Sequence, residues 1–120
     1  MDMKTYVSEA LKTESGIRDD RDSRLLHGAM GCVTEAGELI DALKKHIYYG
    51  RDLDEVNLKE EMGDMLWYMA ILCDVLGTSF DELTDMNIAK LRKRYPEKFT
   101  SDKAINRDLG TERDELEKYA

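Results

Sequence analysis

The chain has 120 residues, with 26 acidic and 18 basic side chains and a formal net charge of −8. Its length allows one domain over 1–120 with a modest core, and an apolar content of 42% argues against disorder of the whole chain. The acidic balance argues against a general binder of nucleic-acid polymers or acidic membranes, because such proteins carry basic surfaces. A nucleotide ligand is compatible with it, because bound metal ions can reverse the local electrostatic field.

Cysteine usage and the lack of long apolar runs predict a soluble cytoplasmic protein. Cys32 and Cys73 are too few for a disulfide scaffold and lack the partners of a zinc site, so we expect buried, reduced thiols. The first residues do not resemble a signal peptide. No stretch approaches the roughly 18 apolar residues of a membrane-spanning helix.

Helix signals dominate the chain and strand signals are nearly absent, which predicts an all-α fold. We expect helices at about 3–12, 24–48, 54–76 and 79–94. Gly50 and Gly77 follow helix ends as typical C-terminal glycines, while Ser79 and Glu82 form a capping box. The polar tail after Pro96 is expected to hold one or two helical turns between 111 and 119.

The third helix is unusually apolar for so small a protein. From Met65 to Leu76 it reads MLWYMAILCDVL, with Asp74 as the only charge. A helix that is apolar all round must be buried all round, and three neighbouring helices cover only part of it. We therefore expect a second chain to cover the rest, giving a dimer or a larger assembly. The alternative is that Tyr68 and its neighbours stay exposed.

Two similar carboxylate pairs lie on neighbouring helices. The second helix carries EAGE at 35–38 and the third carries EMGD at 61–64. The i, i+3 spacing places both carboxylates of a pair on one helix face, and two long helices joined by a short link should run antiparallel. A glycine inside a helix costs about 1 kcal/mol relative to alanine. Glycine in each pair therefore suggests close approach of two backbones or room for a bulky ligand.

Facing carboxylates repel one another unless a cation lies between them. Hard oxygen ligands without histidine or thiolate favour Mg²⁺ or Mn²⁺, whose open positions suit phosphate oxygens and phosphoanhydride hydrolysis. The candidate catalytic and metal-ligating residues are Glu35, Glu38, Glu61 and Asp64. The alternative is that all of them lie on solvated helix faces.

The fourth helix supplies positive charge on one face. Asn87, Lys90 and Arg94 recur at i, i+3 and i+7. A Lys and Arg stripe suits a triphosphate, and the asparagine suits a base edge or a sugar hydroxyl. The alternative is a basic C-terminal half that the helix dipole favours.

These motifs together resemble one enzyme family. Glu35-x-x-Glu38, followed after 22 residues by Glu61-x-x-Asp64, resembles the signature of the MazG-like nucleoside triphosphate pyrophosphohydrolases, which are all-α proteins. The resemblance covers about 26–117 and extends to four longer segments of the chain. These segments are EAGELIDALKKHIYYG, LKEEMGDMLWYMAILCDVLG, NIAKLRKRYPEKF and AINRD.

The resemblance implies a fold and an activity. The fold is a four-helix bundle core at about 24–95 with an extended C-terminal tail at 96–120, assembled as a homodimer or homotetramer. The activity is hydrolysis of a nucleoside triphosphate to monophosphate and pyrophosphate, by attack of water on the α-phosphorus with Mg²⁺ or Mn²⁺ as cofactor. Such proteins act in the cytoplasm of a bacterial cell or a phage-infected host.

The resemblance also assigns roles to residues. It makes Glu35, Glu38, Glu61 and Asp64 the metal ligands, and Asn87, Lys90 and Arg94 the substrate-binding residues of the fourth helix. The tail motif Asn106-Arg107-Asp108 implies that Arg107 folds onto an active site. That site belongs either to the same chain or to a neighbouring subunit.

The sequence departs from the family pattern at Thr34 and His27, where glycine and asparagine are expected, so the base and sugar preferences stay open. We expect His27 to be exposed, with contact to a substrate as the alternative. Two rival functions also stay open. One is a related enzyme: a dUTP or dCTP pyrophosphatase, or a phosphoribosyl-ATP pyrophosphohydrolase relative. The other is a non-catalytic, metal-binding helical oligomer.

Overall fold

The computed structural model describes all residues, 1–120, and contains helices but no strands. The six helices are α1 (Met3–Leu11), α2 (Arg21–Tyr49), α3 (Glu55–Leu76), α4 (Phe80–Arg94), α5 (Ser101–Ile105) and α6 (Leu109–Glu117). The all-α prediction is therefore confirmed. None of these helices combines the length and the apolar character that a membrane crossing requires.

The four helices expected from the sequence are confirmed to within three residues at each end. α2 begins earlier than expected, because the Asp20 side chain accepts a hydrogen bond from the backbone N–H of Ser23. The Ser79 hydroxyl caps α4 by accepting from the backbone N–H of Glu82. α2 ends at Gly50 with a φ of 68°, in the left-handed region where glycine is favoured.

The first 78 residues form one compact unit that contains α1, α2 and α3. α2 and α3 run antiparallel, since Arg24 at the start of α2 pairs with Asp74 near the end of α3. Further along, the backbone at Gly31 faces Tyr68, and the acidic residues 35 and 38 reach Glu61. α1 packs against α3. The core of this unit includes Ala70, Ile71 and Cys73, which are almost fully buried.

Two glycines of α2 allow its close approach to α3. A Cβ on Gly31 would lie 2.0 Å from the Tyr68 ring, and one on Gly28 would lie 2.8 Å from Leu72. By contrast, a Cβ on the glycine of either carboxylate pair, Gly37 or Gly63, would meet no atom within 4 Å. Close packing within the chain therefore explains the earlier glycines of α2, and does not explain those of the carboxylate pairs.

Residues 79–120 form a second compact unit of α4, α5 and α6. The tail after Pro96 forms two short helices, α5 and α6, rather than an extended segment. α6 packs against α4. The helical turns expected between 111 and 119 correspond to α6. An ion pair of 2.7 Å between the buried Glu112 of α6 and Arg94 of α4 connects these two helices.

An uncovered apolar face lies on α2. On α3, most of the apolar stretch is buried or half-buried, although Leu66 and Leu76 are exposed. Besides Tyr48 and Tyr49 at its C-terminal end, α2 has five large apolar side chains that are each more than half exposed: Leu26, Met30, Val33, Ile40 and Ile47. We call these five residues the α2 stripe. The apolar stretch of the third helix is thus mostly covered within the chain, and the uncovered apolar side chains of the α2 stripe lie on the second helix.

Both cysteines are free thiols. Cys73 is buried and Cys32 is half-buried. Burial raises the pKa of each thiol above its ordinary value, which disfavours the reactive thiolate at neutral pH. The burial of Cys73 agrees with the expectation of buried cysteines, whereas Cys32 is only partly buried.

Candidate active site

Three acidic side chains of α2 and α3 meet in one group. Glu35 and Glu38 lie one turn apart on α2, and Glu61 faces them from α3. One carboxylate oxygen from each lies within 4.8 Å of the other two. The antiparallel hairpin and the i, i+3 spacing together create this convergence. We call these three residues the carboxylate group.

The burial of Glu61 distinguishes the carboxylate group from a fully solvated helix face, although Glu35 is half-buried and Glu38 is exposed. Glu61 is only 5% exposed. Oε2 of Glu35 and Oε2 of Glu61 are both buried and have no hydrogen-bond partner. A buried carboxylate oxygen without a partner is costly, and a divalent cation would satisfy both. The residues present therefore fit an oxygen-ligated Mg²⁺ or Mn²⁺ ion.

Two members of the carboxylate group, Glu38 and Glu61, have raised pKa values. Close contact with the Glu61 carboxylate, followed by the charge of Glu61, raises the pKa of Glu38. Close contact with the Glu35 carboxylate, followed by burial, raises the pKa of Glu61. Like charges held this close favour protonation of one of them unless a cation compensates.

The fourth predicted ligand, Asp64, lies outside the carboxylate group and is half-buried. Its charge nonetheless contributes to the raised pKa values of Glu38 and Glu61. It also acts on Tyr6 of α1, whose phenol pKa is raised first by burial and then by the charge of Asp64. Tyr6 was not singled out from the sequence, because a lone tyrosine on a short helix carries no distinguishing signal.

A cavity of about 780 Å³ opens beside the carboxylate group. It lies between the C-terminal half of α2, the α2–α3 link and the N-terminal half of α3. Its lining consists of Thr34, Gly37, Glu38, Asp41, Ala42, Lys45, Arg51, Asp52, Asp54, Asn57 and Glu61. The volume is within the range of small-molecule binding sites.

The predicted phosphate-binding residues belong to the second unit. Asn87 is exposed, Lys90 is half-buried, and Arg94 and Arg107 both bind Glu112. Each guanidinium donates through Nε and Nη2 to the two oxygens of this carboxylate. Hydrogen bonds from Arg107 and then Arg94 lower the pKa of Glu112 to about 2.

Glu112 was missed at the sequence level, because one acid in a polar tail shows no periodic pattern. A cavity of about 220 Å³ adjoins the Glu112 ion pairs, and Lys93 and Lys103 are among its lining residues together with both arginines. The second unit thus gathers basic side chains within a chain of net charge −8.

An aromatic cluster lies on the same helix pair as the carboxylate group. The rings of Trp67 and Tyr68 meet edge to face at a centroid distance of 5.0 Å, and His27 lies 5.5 Å from Tyr68. Trp67 Nε1 donates a hydrogen bond of 2.7 Å to Thr13 Oγ1. His27 is exposed, as expected, yet its ring contacts both aromatic neighbours.

A family model described as the MazG nucleotide pyrophosphohydrolase domain matches residues 29–99, more than half of the chain. The match includes both carboxylate pairs and α4. The chain belongs to the MazG family. The MazG match crosses the boundary between the two compact units at Thr78. Arg107 and Glu112 lie beyond the matched residues.

Comparison with curated proteins shows that the chain is similar to a bacteriophage protein. The chain is 36% identical over 77 residues to the Gene 37 protein of Mycobacterium phage L5. This alignment covers 58% of the chain and 65% of the phage protein, so it spans slightly less than two thirds of that relative. No solved structure matches the chain.

Proposed function

We propose that the protein is a divalent-metal-dependent nucleoside triphosphate pyrophosphohydrolase. It converts a (d)NTP and water into a (d)NMP and pyrophosphate. The observation that carries this proposal is the carboxylate group, with two buried, unpartnered oxygens beside a cavity of about 780 Å³, in a chain of the MazG family. The similarity to a phage protein supports a setting in a bacterial cell or a phage-infected host.

We assign the metal ligands to the two carboxylate pairs. Glu35, Glu38 and Glu61 would hold Mg²⁺ or Mn²⁺, with Asp64 as the fourth ligand. The bound cation would neutralise phosphate charge and lower the pKa of a water molecule at the α-phosphorus. The protein's own part is to hold these carboxylates together and to keep Glu61 desolvated, because burial strengthens the electrostatic interactions of that carboxylate.

We assign phosphate binding on the second unit to Lys90, Arg94 and Arg107, and a base or sugar contact to Asn87. The Glu112 carboxylate accepts hydrogen bonds from Nε and Nη2 of both arginines. Nη1 of each arginine therefore remains available to donate to a phosphate oxygen. The ion pairs to Glu112 also restrict the rotamers of both side chains, so less entropy is lost when phosphate binds.

We propose that the active protein is a homodimer or homotetramer, with both compact units acting as one MazG domain. The family match supports the single domain, because it continues through the boundary at Thr78. The α2 stripe supports the assembly, because positions 26, 33, 40 and 47 repeat every seven residues, as in helix pairs that pack along a seam. Gly37 lies along the same face, where its open surroundings leave room for a partner helix.

The experiment that tests the proposed function is a turnover assay with Mg²⁺ or Mn²⁺. The substrates are all common NTPs and dNTPs, including dUTP and dCTP, with products separated by chromatography. We expect monophosphate plus pyrophosphate from at least one substrate, with loss of turnover in Glu61→Gln. The matched control is Glu60→Gln, which removes the neighbouring, exposed carboxylate of the same helix. We expect it to stay within about twofold of wild type, as surface changes usually do.

Two outcomes would contradict the proposal. Diphosphate plus phosphate would place the attack at a different phosphorus. Absence of turnover with every nucleotide, together with calorimetric Mn²⁺ binding that Glu61→Gln abolishes, would favour the non-catalytic metal-binding oligomer instead. A preference for dUTP or dCTP would retain the reaction and identify the substrate.

A further inference from the structure

We propose that Lys45 and Arg51 form a phosphate-binding pair at the α2–α3 link, which holds the terminal phosphates of the triphosphate. This inference rests on the proposed function and adds binding residues from the same unit as the carboxylate group. Among the residues that line the cavity of about 780 Å³, these two are the only basic ones. Five lining residues are acidic, so a polyanion needs cationic contacts there in addition to bound metal.

The helical geometry of α2 aligns Lys45 with the carboxylate group. Glu38, Asp41 and Lys45 recur at i, i+3 and i+7 on one helix face, and all three line the cavity. Seven residues of helix correspond to about 10 Å along the axis. A lysine side chain reaches back along its helix, so its ammonium group can contact phosphates that extend from Glu38 toward the link.

The turn after α2 holds Arg51 beside Lys45. Gly50 adopts a left-handed conformation, and the backbone N–H of Arg51 donates to the carbonyl oxygen of Lys45 at 3.2 Å. The carbonyl oxygen of Arg51 in turn contacts His46 Nδ1 at 2.7 Å. Both polar groups of the Arg51 backbone are thus tied to the last turns of α2. The main chain of this residue is fixed at the cavity while its side chain stays exposed.

Neither Lys45 nor Arg51 forms a buried ion pair within the chain. Lys45 pairs with Asp41 at 2.7 Å, in an exposed i, i+4 contact, and such pairs contribute little. Arg51 forms no ion pair. A phosphate can therefore recruit both side chains without breaking a buried interaction. A guanidinium adds bidentate contacts that suit a terminal phosphate.

The neighbouring Lys44 provides a matched control. It also pairs with Asp41, at 3.2 Å, and is as exposed as Lys45, yet it does not line the cavity. Lys44→Met and Lys45→Met therefore remove the same charge and the same kind of surface ion pair. Only Lys45→Met removes a cation from the cavity.

The test measures binding and turnover in Lys45→Met, Arg51→Met and Lys44→Met, each in the full chain with Mg²⁺. The binding probe is inorganic triphosphate, followed by calorimetry, with inorganic phosphate as the short comparison. We expect Lys45→Met and Arg51→Met each to weaken triphosphate binding by roughly 10- to 100-fold, as loss of a charge-assisted contact does. KM for the nucleotide should rise similarly. Lys44→Met should stay within about twofold of wild type.

Equal weakening in Lys44→Met and Lys45→Met would overturn the proposal, because net charge alone would then explain the effect. Unchanged triphosphate binding in Lys45→Met and Arg51→Met would overturn it as well. Failure of the proposed function gives a different result. In that case wild type turns over no nucleotide, and the contrast between Lys45→Met and Lys44→Met in triphosphate binding still decides the phosphate pair.

Discussion

Gly31 is the position where the packing of α2 on α3 is most sensitive to a single methyl group. In Gly31→Ala the new Cβ would lie 2.0 Å from the Tyr68 ring, and ordinary contact begins at 3.4 Å. The ring must therefore move by about 1.4 Å within a closely packed region. Its own edge contacts with His27 and Trp67, at 5.5 and 5.0 Å between centroids, oppose that movement.

The expected free-energy change combines two effects. Overpacking costs about 1–3 kcal/mol, and an overlap this large belongs at the upper end. Replacing a helical glycine by alanine contributes about 1 kcal/mol of stabilisation. We expect Gly31→Ala to lower the free energy of unfolding by about 2 kcal/mol. Gly63→Ala, at the α3 glycine with no atom within 4 Å, should raise it by about 1 kcal/mol.

Urea unfolding at equal protein concentrations measures both variants, with helical circular dichroism and Trp67 fluorescence as independent probes. A double-mutant cycle with Tyr68→Ala isolates the contact. Without the ring, Gly31→Ala should become stabilising, giving a coupling energy of about 3 kcal/mol. A coupling energy near zero, or a Gly31→Ala protein as stable as wild type, would refute this account of the helix pair.

Three further predictions concern other polar contacts. Arg24→Met leaves the carboxylate of Glu14, which is 12% exposed, without its ion-pair partner at 2.9 Å. We expect this change to lower the free energy of unfolding in urea by about 2–3 kcal/mol. A loss below about 0.5 kcal/mol would contradict the prediction. Thr13→Val removes the hydroxyl oxygen that accepts from the Trp67 indole N–H, and should lower the free energy of unfolding by about 1 kcal/mol. Thr13→Ser keeps this oxygen and should be as stable as wild type. The lowered pKa of Glu112, about 2 against an ordinary 4.5, means that its stabilisation is complete above pH 4.5 and is lost as the pH falls toward 2. Glu112→Gln should therefore lower the thermal midpoint at pH 7 and flatten its fall over that acidic range; an unchanged pH profile would contradict the assigned ion pairs.

Helix ends were predictable from the sequence because their stabilising contacts are local. Asp54 and Ser79 accept hydrogen bonds from backbone N–H groups three residues ahead. Gly50 and Gly77 adopt positive φ values of 68° and 66°, which glycine tolerates at low cost. Each signal is contained within one helical turn, so the printed sequence already shows it.

The convergence of carboxylates was partly predictable. The i, i+3 spacing on two linked helices indicated that Glu35, Glu38 and Glu61 meet, and the structure brings these three together. The distance of Asp64 from this group, and the burial that leaves two oxygens unpartnered, depend on how α2 and α3 rotate about their axes. That rotation is set by side-chain packing over the whole hairpin, which spacing alone does not determine.

The tail and the uncovered face of α2 were not predictable from local patterns. Glu112 pairs with Arg94, 18 residues earlier in the chain, and a contact at that separation has no periodic signature. The exposure of Val33 and Ile40 likewise depends on which face of α2 the other helices cover. An apolar stripe predicts burial, but it does not identify the covering chain.

The most direct test of the central claim is to locate the oxygen that water donates during turnover. The reaction is run with Mg²⁺ or Mn²⁺ in oxygen-18-labelled water, and the products are analysed by mass spectrometry. Attack on the α-phosphorus predicts the label in the nucleoside monophosphate and none in pyrophosphate, with no labelled product from Glu61→Gln. Label in pyrophosphate, or equal labelling by Glu61→Gln, would contradict hydrolysis at the α-phosphorus by the carboxylate group.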